Sequence, residues 1–203
     1  MRTLLVGVGI AGVAAASALA QDGLDRAVVE KAIKDSWQQV APEWAARLAQ
    51  DETQQACSLY RNNPPPSLAS AIQAGAQASI KYPADGKLMG DWKKGEKLAQ
   101  SGYGMRFTDY PPRAENGGNC FACHQLDPKE LSYGTLGPSL AAYGKDRKFA
   151  PAEAKAVYDR IFNPQAAFAC ANMPRMGANG FLSLEQIADL TAYVMSPDSP
   201  VNK

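Results

Sequence analysis

Cys120, Cys123 and His124, in the run Gly118-Asn119-Cys120-Phe121-Ala122-Cys123-His124, are the residues of this sequence whose types and spacing point most directly to chemistry. Two thiols three apart lie on one face of a helical turn, where each can form a thioether to a vinyl group of a porphyrin. The imidazole that follows reaches the iron as proximal ligand. Cys-x-x-Cys-His is the spacing of covalent c-type haem attachment. The same cysteines without the histidine read as a thioredoxin-like redox pair or as half a zinc site. The redox pair wants a βαβ setting, and the flanks here are Gly-rich loop and helix. The zinc site wants two further Cys or His ligands nearby; His124 is the sole histidine, and Cys57 and Cys170 are far off in sequence. One covalent haem c is the expected cofactor.

A single histidine bars a second imidazole of this chain from the sixth position on the iron. Methionine then leads, a soft thioether that stabilises ferrous iron and raises the potential, as an electron carrier requires. Met89 and Met105 precede the haem motif, Met195 sits in the last expected helix, and Met173 and Met176 share the loop Asn172-Met173-Pro174-Arg175-Met176-Gly177. Any of these can instead fill a core gap. Pro174 restricts the residue before it to extended backbone, which keeps Met173 out of a helix and lets a loop project its side chain inward. Met173 is the expected ligand and Met176 the runner-up.

The elements that must position these groups read as helices. Leu24 to Ala49 carries Leu24, Val28, Val29, Ile33, Trp37 and Val40 at roughly helical spacing. A second helix is expected to open at Pro42 and run through Trp44 and Leu48 to about Leu59. Asn62-Asn63-Pro64-Pro65-Pro66 forbids helix, and Ser67 suits the N-cap of a third. After the turn at Tyr82-Pro83-Ala84-Asp85-Gly86, Asp91 to Ser101 reads as the opening helix of a haem domain, with Gly95 allowing a close helix crossing. A loop containing Pro111-Pro112 leads to the haem motif. Pro151 to Phe162 is the next helix, stopped by Asn163-Pro164, and Ser183-Leu184-Glu185-Gln186 is a capping box opening the last, which Pro197 ends. No useful strand alternation appears, so the expected fold is all-α. The divisions are a signal peptide over 1–20, a helical N-terminal extension over 21–81 and a haem domain over 82–203.

Composition bounds the compartment and the partners. The chain has 203 residues, 46 % hydrophobic and 20 % charged, an ordinary globular balance. Met1-Arg2, the apolar run Leu4 to Leu19 and the small-x-small ending Ala18-Leu19-Ala20 fit a signal peptide cleaved before Gln21; the competing reading is a retained membrane anchor. No other stretch is long and apolar enough to span, so the expected location is the periplasm, with no membrane attachment after cleavage. Near-neutral charge argues against nucleic acid as a partner. In an oxidising compartment Cys57 and Cys170, the two cysteines the haem leaves over, are expected to form a disulfide.

An opening helix, Cys120-x-x-Cys123-His124, a Gly137-Pro138-x-Leu140 loop, a Met173-Pro174 loop and a closing helix resemble a class I cytochrome c. The likeness is closer to the SoxX family, the monohaem subunits of SoxAX complexes in bacterial thiosulfate oxidation. It is carried by Gly90 to Glu96, Gly117 to Cys120, Tyr133-Gly134-Thr135-Leu136-Gly137-Pro138-Ser139-Leu140, Met173-Pro174-Arg175 with Gly177, and the tail Ser199 to Lys203. The run from Gly134 to Leu140 and the tail carry the specificity. The sequence departs from the family at Met176, where an aromatic residue is expected. The resemblance implies an electron-transfer subunit of an L-cysteine S-thiosulfotransferase, in heterodimer with SoxA, which carries the catalytic haem. SoxYZ would be the carrier protein and a small c-type cytochrome the electron acceptor. It also implies that the Pro138 carbonyl accepts a hydrogen bond from His124. A free-standing monohaem shuttle to an oxidase would use the same domain, and a haem-free thiol oxidoreductase is a remoter alternative.

Overall fold

The computed structural model describes residues 26–40, 42–109 and 113–203. The expected signal peptide over 1–20, Leu24 and the Pro111-Pro112 pair lie outside the described residues. Among the described residues there are helices, short 3-10 turns and no strand, so the fold is all-α. The chain divides into one unit that ends at Val40 and a compact second unit from Ala41 to Lys203. The first contains α1 (Arg26–Ser36), whose Val28 and Val29 are exposed.

The second unit begins with α2 (Pro42–Leu48), α3 (Glu52–Leu59) and α4 (Pro66–Ser79). Where periodicity suggests one helix from Pro42 to about Leu59, the structure has two. The break falls at Asp51, whose side chain accepts from Gln54 N at 2.8 Å while Gln54 Oε1 accepts from Asp51 N at 2.9 Å. This reciprocal capping box satisfies amides that a helix start leaves unpaired, and so begins α3 afresh. The next helix likewise starts one residue before Ser67, with Pro65 at the cap and Pro66 in the first turn, where the missing N–H costs nothing.

The rest is α5 (Trp92–Gln100), α6 (Tyr143–Asp146), α7 (Pro151–Phe162) and α8 (Leu184–Met195). The apolar positions that define α7 and α8 in the sequence, Val157, Ile161, Phe162, Ile187, Leu190 and Val194, are all buried in one core with Tyr158, Tyr193 and Met195. At the centre α5 crosses α8 so closely that a Cβ on Gly95 would lie 2.1 Å from the Asp189 carbonyl oxygen. Gly90 N donates to Ala188 O at 3.0 Å and Asp91 N to Asp189 Oδ1 at 2.7 Å, fixing the start of α5 on the same side of α8. The tail completes the frame. Val201 is buried, its carbonyl accepts from Ala142 N at 2.7 Å, and Asn202 Nδ2 donates to Val194 O and Ser196 O at 3.0 and 2.8 Å.

Cys57 and Cys170 form a disulfide (S–S 2.05 Å), as the count of cysteines predicts. It closes a loop of 113 residues between α3 and the segment before Met173, a constraint that loop entropy values at about 4–5 kcal/mol. Gln73 Nε2 donates to Ala167 O at 2.8 Å and Asn163 Nδ2 to Ser79 Oγ at 3.0 Å, so α4 is joined to the same segment.

Candidate haem site

Glycine and asparagine shape the approach to the motif. Gly118 N donates to Leu98 O at 2.7 Å and Asn119 N to Ser101 O at 2.9 Å, which hangs the strand of chain from the end of α5. Asn119 adopts a left-handed conformation (φ 50°), one that asparagine tolerates better than most residues. The chain then makes a single 3-10 turn, Cys120–Ala122, in which Cys123 N and His124 N both donate to Cys120 O, at 3.1 and 2.9 Å. Neither Cys120 nor Cys123 is in a disulfide.

The loop after the motif is laced back onto it. Gly134 N donates to Phe121 O (2.9 Å), Gly137 N to Cys123 O (2.8 Å) and Leu140 N to Gln125 O (2.8 Å). His124 Nδ1 lies 2.7 Å from the Pro138 carbonyl oxygen. A carbonyl can only accept, so Nδ1 carries the proton and Nε2 is the nitrogen left with a lone pair for a metal. A Cβ on Gly137 would stand 2.2 Å from His124 Cε1, so glycine is required for the backbone to lie against the ring. Spacing alone does not reveal that contact; the Gly-Pro pair following a metal-binding histidine is the signal that points to it.

The methionines separate by environment. Met176 is 5 % exposed and belongs to the core, as does Met195 in α8; Met89 is exposed on the surface. Met105 and Met173 are half-buried at the core's edge. Both lie on irregular backbone, and of the two it is Met173 that is followed by a proline, the exposed Pro174. That loop borders a polar cleft of about 310 Å³, lined by Met173 itself with Gln50, Gln54, Ser58 and Arg175 among others. Sequence reasoning missed the ion pair beside it, Arg175 Nη2 to Asp51 Oδ2 at 2.5 Å. Burial pushes the Asp51 carboxyl up, but the Gln54 amide and the Arg175 guanidinium outweigh it and hold the group below the ordinary carboxylate range. The pair therefore contributes its stability above the unfolded carboxylate pKa and loses it as pH falls through the lower folded value.

Two free thiols in one turn, an imidazole with its outer nitrogen fixed by a carbonyl, and glycine backbone against the ring are a donor set that fits a covalently attached haem. Fold and site together define a class I c-type cytochrome, an electron-transfer haem protein. Residues 113–197 match the cytochrome c family. The chain is also 39 % identical over 163 residues to an uncharacterized lipoprotein of Aquifex aeolicus (strain VF5), an alignment covering 78 % of this chain and 75 % of that protein. Residues 113–197 are thus a cytochrome c domain, and its cofactor is a covalently bound haem c. Intact mass spectrometry of protein from an exporting host should accordingly give the polypeptide plus one haem, and a bare polypeptide mass would contradict attachment at Cys120 and Cys123.

Proposed function

We propose that this chain is the electron-accepting monohaem subunit of a SoxAX-type L-cysteine S-thiosulfotransferase. In that complex the partner cytochrome, SoxA, couples thiosulfate oxidatively to a cysteine of the carrier SoxYZ. This chain takes up the electrons released and delivers them to a small c-type cytochrome. Cys120 and Cys123 hold the haem through thioethers, and His124 and Met173 are the axial ligands, with Met176 the runner-up. Bound haem supplies reversible one-electron exchange. The Pro138 carbonyl fixes the imidazole's orientation and strengthens its donor nitrogen.

The observation that carries this reading is Leu136. It sits in the Gly134 to Leu140 run that most separates SoxX proteins from other cytochromes c, directly before the glycine that lies on His124, and it is 90 % exposed. Leu131, on the same loop, is fully exposed, and Tyr133 is partly so. Exposed apolar side chains on this loop suit a lasting contact with a partner better than brief collisions. Export is the proposed location, and a lipoprotein relative fits it. Among the described residues no helix is long and apolar enough to cross a membrane.

Affinity purification of the tagged protein from its native periplasm tests the proposal. The expected result is a heterodimer with a second c-type cytochrome, and Leu136→Asp should weaken that complex at least tenfold with an unchanged visible spectrum. Recovery of a monomer alone would favour a free-standing shuttle to an oxidase.

A further inference from the structure

The loop carrying Met173 borders a polar cleft that Met173 itself helps to line, and its Asn172 and Pro174 are exposed. Hydrophobic burial therefore does not fix the cleft side of the loop. Two ties do, one on each side of Met173. Cys170, three residues before it, is bonded to Cys57, and Arg175, two residues after it, is paired with Asp51. Both ties end on one element, since Asp51 is the N-cap of α3 and Cys57 lies within it. The capping box satisfies the amides at the start of that helix and fixes where it begins. A rigid bar fastened on both sides of a six-residue segment, Cys170 to Arg175, restricts the positions its side chains can sample.

We propose that α3 is a positioning element for the sixth iron ligand: through the Cys57–Cys170 bond and the Asp51–Arg175 pair it sets the fraction of molecules whose Met173 thioether is on the iron. This rests on the assignment of Met173 as that ligand. Asp51 divides its two oxygens between the tasks. Oδ1 caps α3 and Oδ2 meets Arg175. Asparagine caps a helix about as well as aspartate, so Asp51→Asn keeps the helix start and removes the ion pair.

A competing ligand reads the effect directly. Imidazole binds ferric iron only where methionine is off, so its apparent affinity scales with the methionine-off fraction. The experiment titrates ferric holoprotein with imidazole and follows loss of the methionine-to-iron charge-transfer band. Relative to wild type, Asp51→Asn should bind imidazole about threefold more tightly and the double variant Cys57→Ser/Cys170→Ser about tenfold or more, each retaining the band before imidazole is added. Ser183→Ala removes the cap of α8 and lowers thermal stability without touching either tie; it should bind imidazole as wild type does. Wild-type imidazole affinity in both tie variants, or equal tightening in Ser183→Ala, overturns the proposal alone. Retention of the band in Met173→Ala overturns the ligand assignment and the proposal with it.

Discussion

Replacing Met173 with alanine is expected to abolish the methionine-to-ferric-iron charge-transfer band and to lower the reduction potential, whereas Met176→Ala should leave both nearly unchanged. Loss of a soft axial thioether removes preferential stabilisation of ferrous iron, a fall on the order of 0.2 V within the roughly 0.8 V that axial ligands span. Met176 pays a different penalty. Its side chain is 5 % exposed within the core that holds Phe162, Leu182 and Ile187, so truncation should cost about 2–4 kcal/mol through lost burial and the cavity left behind. Visible spectroscopy and thermal melts on the two variants separate the roles. A lost band in Met176→Ala with an intact one in Met173→Ala would reverse the assignment.

Gly95→Ala is expected to destabilise the protein strongly although alanine is the better helix former. In an unpacked helix the change gains about 1 kcal/mol. Here the new Cβ would meet the Asp189 carbonyl oxygen at 2.1 Å, its carbon at 2.6 Å and Tyr193 Cβ at 2.9 Å. Two of these are backbone atoms of α8, which cannot turn aside as a flexible side chain can. The helices must separate, and with them the core between α5, α7 and α8. Overpacking of this kind costs about 3 kcal/mol or more, enough to lower Tm by about 6 °C or more in a protein of this size. A Tm equal to or above wild type would show that the crossing tolerates a methyl group.

Sequence signals match the fold where their cause is local. Pro151 and Asn163-Pro164 mark both ends of α7, and the Ser183 to Gln186 box marks the start of α8, because the atoms that begin or stop those helices lie within four residues. The Asp51-x-x-Gln54 box is a signal of the same kind. It was hidden by helical periodicity that continues across the break. Other features depend on distant partners. α6 is four residues long after a left-handed Ala142, and it is held by the chain's last residues, through Val201 O and Asn202 Oδ1 to Ala142 N and Lys145 N. At the site, the haem motif was legible from spacing alone. The Asp51–Arg175 pair joins residues 124 apart, and no pattern in a single sequence announces it.

The Cys57–Cys170 bond encloses Cys120 and Cys123 within its loop, and this bears on how the molecule is assembled. Four thiols allow three complete pairings, and every one of them consumes the two cysteines that the porphyrin requires. A chain exported N-terminus first exposes Cys57 before Cys120, and Cys120 before Cys170, so the first partners to meet Cys57 are the wrong ones. Disulfides formed in error can be undone by thiol exchange, but thioethers do not exchange. Attachment of the porphyrin before the last oxidation therefore withdraws both wrong partners permanently. In this order of maturation the cofactor serves as a protecting group for its own attachment cysteines, leaving Cys57 and Cys170 only each other.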